Sequence, residues 1–424
     1  FFLLFVSVQM SLAEEILETP VTWSEFEQRL RTALGTDARF GANKAVLDIG
    51  DGNGFASRCG LITCDWVGAA DGEELPARVV LKIPSSLPFR KLNESLPPGQ
   101  RMFEGDDAMW EMMEGNLRRT HDVELVTYGF FEEFEGLKMP KKYYGVAFGE
   151  NKTDGQICLE YMENSRMMNF HEKHTVEQVK QIAIALGKLQ ACSLKKEPSA
   201  PELQNNLFEE FANSMPLEGF LGMFKGMITL DGSDNMKELL EKLEVILPKY
   251  YGSTRNATIH KEMGFRPVIV NRDLRTENVL IDKDTGDLAA MIDWQTAHIG
   301  VGVEDLHRIA MFALTTEERR AHTPMLVEEM YSSLVEHLDG AEPPYSLDTL
   351  LLLSDIQFPD CALFFVSPCI ALIANQEKDP RLSDEEKKTR KEVQLDKMIG
   401  AIEDILELDI KNKEHNDKLK FRNE

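Results

Sequence analysis

Residues 268–295 read VIVNRDLRTENVLIDKDTGDLAAMIDWQ, and this stretch sets the interpretation of the whole chain. Two β-rich runs, 268–270 and 279–282, flank a polar loop. A turn at 283–287 then leads into a third apolar run, which ends at Asp293. Short apolar runs separated by turn residues are typical of strands. The pattern therefore predicts a small β insert that carries polar side chains at the ends of its strands.

Asp273 and Asn278 stand five residues apart in that loop, and Asp293 follows one hairpin later. A carboxylate can orient and deprotonate an acceptor hydroxyl, and an amide oxygen nearby can ligate Mg²⁺. Asp293, at the end of its strand, is placed to be the main magnesium ligand. An Asp and an Asn at this spacing are common by chance, and a strand-end Asp is often only a turn former. The assignment therefore depends on what precedes these residues in the chain.

A glycine cluster, Gly50-Asp51-Gly52-Asn53-Gly54-Phe55, lies between two predicted strands. Glycines let backbone N–H groups approach phosphate oxygens without a Cβ in the way. The cluster is neither a Walker A loop nor a dinucleotide-binding fingerprint, because no helix follows it. By itself it is more often an ordinary hairpin.

Lys82 lies near the end of the apolar strand Val79–Ile83, in the same predicted sheet as the glycine cluster. Its ammonium group is placed to contact phosphates, provided that a carboxylate holds it. Glu124, on a predicted helix, is the favoured partner, with Glu111 and Glu114 as competing candidates. Phosphoryl transfer from ATP requires a particular set of groups, and this chain carries them in a meaningful order. They are a glycine hairpin, a strand lysine, a helix glutamate, an Asp-x4-Asn loop and a strand-end Asp.

The chain has 424 residues, 43% of them hydrophobic and 28% charged, which predicts a soluble globular protein of more than one domain. It carries 47 Lys and Arg against 72 Asp and Glu, a net charge of −25. A surface this acidic repels nucleic acid and anionic membranes, so neither is expected as a partner. The six cysteines show no zinc-binding spacing, which predicts reduced thiols and a cytoplasmic protein.

The pattern along the chain predicts an α+β protein with a front lobe built on an antiparallel sheet and a larger, mainly helical back lobe. The predicted divisions are an N-terminal extension (1–21), the front lobe (22–163), the back lobe (164–409) and a charged tail (410–424). The apolar residues 1–9 are too short to span a membrane. We favour an extension upstream of the natural start over the remnant of a signal peptide.

These motifs resemble the protein-kinase-like fold in its small-molecule branch, which includes choline kinases and aminoglycoside phosphotransferases. The resemblance is stronger to the CHK kinase-like family, the ecdysteroid-kinase-like proteins of nematodes and insects, and it runs over most of residues 45–360. The stretches that carry it are Gly50–Ser57, Val80–Ile83, Ile157–Met162, the Asp273–Asn278 loop, Ile292–Gln295 and the run from His298 to Arg308.

The resemblance implies an ATP- and Mg²⁺-dependent kinase that phosphorylates a hydroxyl group of a small molecule. In it, Gly52, Asn53 and Gly54 would cover the phosphates, and Lys82, held by Glu124, would contact them. Glu160 and Met162 would belong to the segment that receives adenine through backbone hydrogen bonds. Asp273 would be the catalytic base or acceptor-orienting residue, Asn278 and Asp293 would hold magnesium, and Asp305 would anchor the catalytic loop.

The chain departs from the family where His-Gly-Asp is replaced by Asn271-Arg272-Asp273. Asn271 is expected to take over part of the histidine's hydrogen bonding. Arg272 is expected either to pair with a carboxylate or to face the site and attract an anionic acceptor. The absence of Asp-Phe-Gly and Ala-Pro-Glu motifs argues against a protein substrate. The alternative interpretation is a catalytically weak pseudokinase that binds nucleotide or ligand as a regulatory module.

Overall fold

The computed structural model describes residues 15–50, 57–95, 107–148, 155–206, 210, 216–251, 255–377 and 379–416. The chain divides into two compact units. The first comprises Phe1–Glu133 and Met139–Glu163, and the second comprises Phe134–Lys138 and Asn164–Glu424. The first unit is built on an antiparallel sheet and the second is mainly helical, so the α+β class predicted from the sequence is confirmed.

The first unit contains a five-stranded antiparallel sheet with the order β2-β3-β5-β7-β6. The strands of this unit are β1 (Arg39–Phe40), β2 (Ala45–Asp48), β3 (Ser57–Thr63), β4 (Trp66–Val67), β5 (Arg78–Pro84), β6 (Lys142–Val146) and β7 (Gln156–Glu160). The central strand β5 alternates buried and half-buried residues, as a strand between two others with one face on the core should. Lys82 of β5 lies opposite Cys59 of β3 and Ile157 of β7.

Three helices accompany this sheet: α1 (Trp23–Leu34), α2 (Leu87–Ser95) and α3 (Asp107–Phe131). Helix α1 begins where the Thr22 hydroxyl accepts a hydrogen bond from Glu25 N, and it ends at Gly35, whose φ of 68° is easily adopted only without a side chain. The segment before α1 differs from the predicted extension. Ile16 and Val21 are fully buried in the core of this unit, because apolar side chains at these positions cover the sheet beside α1.

The second unit is dominated by helices whose apolar faces form one core. Its helices are α4 (Val176–Lys195), α5 (Leu217–Asp231), α6 (Asp234–Tyr250), α7 (Arg255–Met263), α8 (Val303–Ala313), α9 (Thr316–Glu336), α10 (Leu347–Glu377), α11 (Asp384–Lys411) and α12 (Lys413–Asn416). Thr175 caps α4 in a reciprocal capping box with Gln178, and the apolar face of α4 is buried. Within α10, the stretch Leu347–Val366 is long and apolar enough to cross a membrane, but 72% of it is buried in the core.

Two small antiparallel sheets interrupt the helices of the second unit and position the loop identified in the sequence. Strand β10 (Val279–Asp282) pairs with β8 (Ser165–Met167) on one side and with β11 (Leu288–Met291) on the other. Strand β9 (Val268–Val270) pairs with β12 (His298–Gly300). The chain between β9 and β10 therefore leaves one sheet and enters the other. A 3₁₀ turn, Thr276–Asn278, completes this crossing.

Four aromatic residues of the second unit belong to its core. Phe220, Phe224, Trp294 and Phe358 are each at most 6% exposed. The charged tail also begins later than residue 410 in the part of the chain that is described, because α11 continues to Lys411 and the buried Asn412 donates a hydrogen bond to Asp355 O. All six cysteines are free, and all but Cys59 are buried.

Candidate active site

Lys82 and Glu124 form an ion pair within the first unit. The distance between Lys82 Nζ and Glu124 Oε2 is 2.6 Å, and the two side chains are 11% and 2% exposed. The central strand β5 and helix α3 supply the two residues. The pairing predicted from the sequence is therefore present, and its burial keeps it largely free of screening by salt. The competing candidate Glu114 pairs with Arg90 instead.

His121 lies one helical turn before Glu124 on α3, close to the ion pair of Glu124 with Lys82. Its Nε2 is 2.7 Å from Val146 O, and its side chain is buried. Burial, together with the Lys82 charge, lowers the pKa of His121 to about 4. The imidazole is consequently neutral at pH 7 and adds no cation beside Lys82.

The remaining predicted nucleotide-binding residues of this unit are only partly described. Gly52, Asn53 and Gly54 lie outside the described residues. Glu160 ends β7, where its N–H donates to Lys141 O at 2.8 Å and its carboxylate accepts from Lys141 N at 3.1 Å. Met162 follows two residues later and is half-buried. Adenine binding by Glu160 and Met162 stays a prediction.

In the second unit, Asn271 connects the two segments that carry the predicted catalytic and metal-binding residues. Its Nδ2 donates to Asp293 O at 3.0 Å, and its Oδ1 accepts from Asp273 N at 3.0 Å. Asn271 is fully buried. Because one amide side chain both donates and accepts, it fixes the backbone of Asp273 relative to that of Asp293. The hydrogen-bonding role expected for Asn271 is therefore observed.

Asn278 and Asp293 are held beside each other by the same network. Asn278 Nδ2 donates to Asp273 O at 2.8 Å. This bond orients the side-chain amide of Asn278, so that its Oδ1 points away from Asp273 O. Ile292 N donates to Asn278 O at 2.9 Å, so the residue before Asp293 is tied to the loop. Asp293 has a φ of 62°, a strained conformation for a residue with a side chain. Strain of this kind persists only where the surrounding structure imposes it.

The Asp273 carboxylate is 16% exposed and has two guanidinium groups close to it. Arg308 Nη2 donates to Asp273 Oδ1 at 2.6 Å. On the other oxygen, Arg275 Nε lies 3.7 Å from Asp273 Oδ2, a distance of attraction rather than of hydrogen bonding. The sequence had singled out Arg308 only as part of a motif. Its spacing from Asp305 on a helix was the available signal, because residues three apart lie on one face.

Helix α8 holds the loop through two further acidic residues. Asp305 accepts hydrogen bonds from Asn271 N and Arg272 N, both at 2.7 Å, which is the anchoring role predicted for it. Burial raises the pKa of Asp305 to about 7, although these two N–H donors act in the opposite direction. Glu304 Oε2 accepts from Arg272 Nη1 at 2.8 Å, and both side chains are at most 4% exposed.

The expectation that Arg272 faces the site and attracts an anionic acceptor is wrong. Arg272 is buried, pairs with Glu304 and lies over the ring of Phe364, at 5.1 Å from the ring centroid. The two alternatives differed only in the direction of one side chain, which sequence spacing does not determine. Burial acts to lower the pKa of Arg272, but Glu304, Cys361 and Asp360 together outweigh it and keep that pKa above its ordinary value.

Among the described residues, no group of three or more His, Cys, Asp or Glu side chains forms a metal site. The predicted magnesium ligands are one carboxylate and one amide. Two protein ligands suit Mg²⁺ that is bound together with substrate phosphates, since this ion is usually held by one or two protein ligands, phosphate oxygens and water.

Comparison with known proteins finds one matching family and a relative that is named kinase-like. A family model, DUF1679, described as "uncharacterized oxidoreductase dhs-27", matches residues 10–413, and the chain belongs to this family. An uncharacterized kinase-like protein of Caenorhabditis elegans is 23% identical over 367 residues, which cover 86% of this chain and 93% of that protein.

The name dhs-27 belongs to a longer relative. The uncharacterized oxidoreductase dhs-27 of C. elegans is 24% identical over 268 residues, 61% of this chain but only 31% of that protein. The matched part is thus less than a third of that relative, whose name describes the whole protein.

Two solved structures illustrate the likeness in fold. A choline kinase from Cryptosporidium parvum Iowa II aligns with a TM-score of 0.45 and 12% identity, covering 88% of this chain and 90% of that one. An ADP-bound aminoglycoside phosphotransferase aligns with a TM-score of 0.36 and 15% identity, covering 89% and 99%. Likenesses at these scores carry no conclusion about activity.

Proposed function

We propose that this protein is an ATP- and Mg²⁺-dependent phosphotransferase that phosphorylates a hydroxyl group of a small molecule. The observation that carries the proposal is the hydrogen-bonded assembly of Asp273, Asn278 and Asp293 through Asn271. A steroid-like alcohol, a xenobiotic conjugate or an amino alcohol is the expected class of acceptor. The kinase-like relative that matches most of the chain supports the same class of reaction.

In this proposal Asp273 carries the chemical step. Asp273 orients the acceptor hydroxyl and takes its proton, while the hydroxyl oxygen forms a bond to the γ-phosphorus. The bond between that phosphorus and the bridging oxygen breaks, and ADP leaves with the electron pair. Lys82 contacts the nucleotide phosphates, and the buried Glu124 keeps its ammonium group in place.

Asn278 and Asp293 would hold Mg²⁺, because oxygen ligands of this type suit the ion. When bound, the ion neutralises charge on the nucleotide phosphates, which an acidic protein cannot otherwise balance. The two protein ligands are kept in place by their own bonds, from Asn278 Nδ2 to Asp273 O and from Asn271 Nδ2 to Asp293 O.

The pseudokinase alternative rested on Asn271 and Arg272. Asn271 makes hydrogen bonds that hold the site together, and Arg272 is paired with Glu304 away from solvent. Both departures from the family thus have structural roles, which weakens the case for lost activity. We propose a cytoplasmic location as well, supported by the six free cysteines.

The first prediction tests the metal assignment through nucleotide binding. Asp293→Asn should remove the Mg²⁺ dependence of ATP binding, lowering affinity by roughly a hundredfold, because a neutral amide is a poorer magnesium ligand than a carboxylate. Calorimetric titration of ATP with and without Mg²⁺ measures this directly. Asp284→Asn, on the exposed turn of the same hairpin, is the matched control and should bind like the wild type.

Turnover is tested with wild-type protein by coupling ADP release to a colour reaction, against a panel of alcohols from each acceptor class. ATP consumption that depends on one of these alcohols supports the proposal. ATP binding without consumption across the panel and across an extract of small metabolites would favour the pseudokinase. Unchanged Mg²⁺ dependence in Asp293→Asn would refute the site assignment.

A further inference from the structure

Arg308 contacts the predicted catalytic carboxylate directly, and the reaction described above assigns it no task. Its Nη2 donates to Asp273 Oδ1 at 2.6 Å, and its side chain is 6% exposed. A charge-assisted bond of this length between buried groups is among the stronger interactions in a protein. The contact joins helix α8 to the side chain of the loop residue on which catalysis depends.

Arg308 is itself fixed by two further contacts. Its Nη1 donates to Phe364 O at 2.9 Å, and its guanidinium lies 5.1 Å from the centroid of the Phe312 ring. A planar guanidinium held at one nitrogen and over one face has little freedom to rotate. It therefore presents Nη2 to Asp273 in one direction.

The two oxygens of Asp273 differ in their surroundings as a result. Oδ1 accepts the hydrogen bond from Arg308, whereas Oδ2 accepts none from the described residues and has Arg275 Nε at 3.7 Å. Asp273 N and O are also engaged, with Asn271 Oδ1 and Asn278 Nδ2. Oδ2 is therefore the carboxylate oxygen that is more open to a new donor such as an acceptor hydroxyl.

We propose that Arg308 is a positioning residue for the phosphoryl-transfer reaction: it binds Oδ1 of Asp273 and turns Oδ2 toward the acceptor hydroxyl. The inference rests on the proposed function. It explains why an arginine follows the anchoring Asp305 by three residues, since both then lie on the face of α8 that contacts the loop. Lysine can replace the charge of Arg308 but not its planar geometry.

The test measures ATP hydrolysis in the presence of Mg²⁺, with water as the acceptor, so that no acceptor needs to be known. Arg308→Met should lower kcat by roughly ten- to a hundredfold and change KM for ATP less than twofold, because misdirecting one reacting group affects the chemical step. Arg308→Lys should recover part of the loss. In the Asp273→Asn background, Arg308→Met should have no further effect.

Arg319→Met is the matched control, since Arg319 also forms a buried pair with an aspartate, Asp404, and lies 5.0 Å from the centroid of a phenylalanine ring. It should lower the melting temperature and leave kcat unchanged. An effect of Arg308→Met below twofold, an increase in turnover, or full additivity with Asp273→Asn would overturn the proposal.

Wild-type protein that binds ATP but hydrolyses none, with or without an alcohol, would refute the proposed function rather than the contact itself. Urea unfolding of the wild type, the two single variants and the double variant then tests the contact. Non-additive midpoints support a direct pair between Arg308 and Asp273, and additive midpoints overturn it.

Discussion

Arg272 adopts a φ of 70°, in the left-handed region where side chains are strained and glycine is at ease. The family to which the sequence is similar usually has glycine at this position. Here the arginine is retained by its ion pair with Glu304 and by the two backbone bonds that Asp305 accepts from the loop. A strained backbone and a buried charge are thus stabilised by the same helix.

The stabilising role of Arg272 can be tested by substitution. Arg272→Met should destabilise the protein by about 3–5 kcal/mol, because it leaves the buried Glu304 carboxylate without its partner. Arg272→Gly should lose about 1 kcal/mol less, since glycine relieves the backbone strain. Urea unfolding of both variants measures the difference. The double variant Arg272→Met/Glu304→Gln serves as control and should recover much of the loss. Equal stability of Arg272→Met and the wild type would contradict the importance of the pair.

Residue types and their order were sufficient to predict several contacts. Lys82 with Glu124, Asp305 with the loop backbone and Asn271 as a hydrogen-bonding residue all follow from motifs whose chemistry is specific. The direction of Arg272 and the contact between Arg308 and Asp273 were not predicted. Both depend on how α8 packs beneath the loop, which is a property of the tertiary structure.

At the scale of elements, helices α4 and α9 of the second unit pack closely against each other. Gly187 of α4 lies so close to α9 that a Cβ atom there would be 2.2 Å from Met330 O. Ser333 Oγ of α9 donates to Ile184 O of α4 at 2.7 Å across the same contact. The absence of a side chain at one position therefore sets the distance between two helices.

Gly187→Ala should destabilise the protein by about 2 kcal/mol, because the helices must move apart to admit the methyl group. Gly222→Ala is the matched control. It lies in helix α5 with no atom within 4 Å of an added Cβ, and should gain up to about 1 kcal/mol from helix propensity. Thermal unfolding of the two variants should thus shift in opposite directions. A Gly187→Ala variant as stable as the wild type would show that the two helices are not held at this distance.

Elements were predictable where apolar runs alternate with turn residues. The strands around the catalytic loop were identified from this pattern. The burial of residues 15–21 was not, because that segment has no periodic pattern and is held by packing against the first sheet.

At the scale of the whole molecule, buried histidines make stability depend on pH. His121, His298 and His307 are each 3% exposed, and burial lowers the pKa of each to about 4. In the unfolded chain these groups titrate near their ordinary value of about 6.5. Between these two values the unfolded state binds more protons than the folded state, so stability falls as the pH falls. Asp305, with its pKa raised to about 7, acts in the opposite direction.

The histidines outnumber Asp305, and we expect a net loss on the order of 2 kcal/mol between pH 7.5 and pH 5.5. Urea unfolding at the two pH values measures it. His307→Gln is designed to keep a hydrogen bond to Ser354 O while removing the titration. It should remove roughly two thirds of the net loss, because one histidine contributes about 1.3 kcal/mol while the opposing contribution of Asp305 is unchanged. A midpoint that rises on acidification would contradict this account.

The pair of Arg272 and Glu304 also bears on which substitutions this site can accept. Glu304 accepts a hydrogen bond from Val301 N, but without Arg272 its buried charge would lack a counterion. An arginine at position 272 without Glu304 would likewise be a buried cation without a counterion, at a cost of several kcal/mol. Each residue is thus costly without the other, and we expect positions 272 and 304 to tolerate exchange as a pair rather than one at a time.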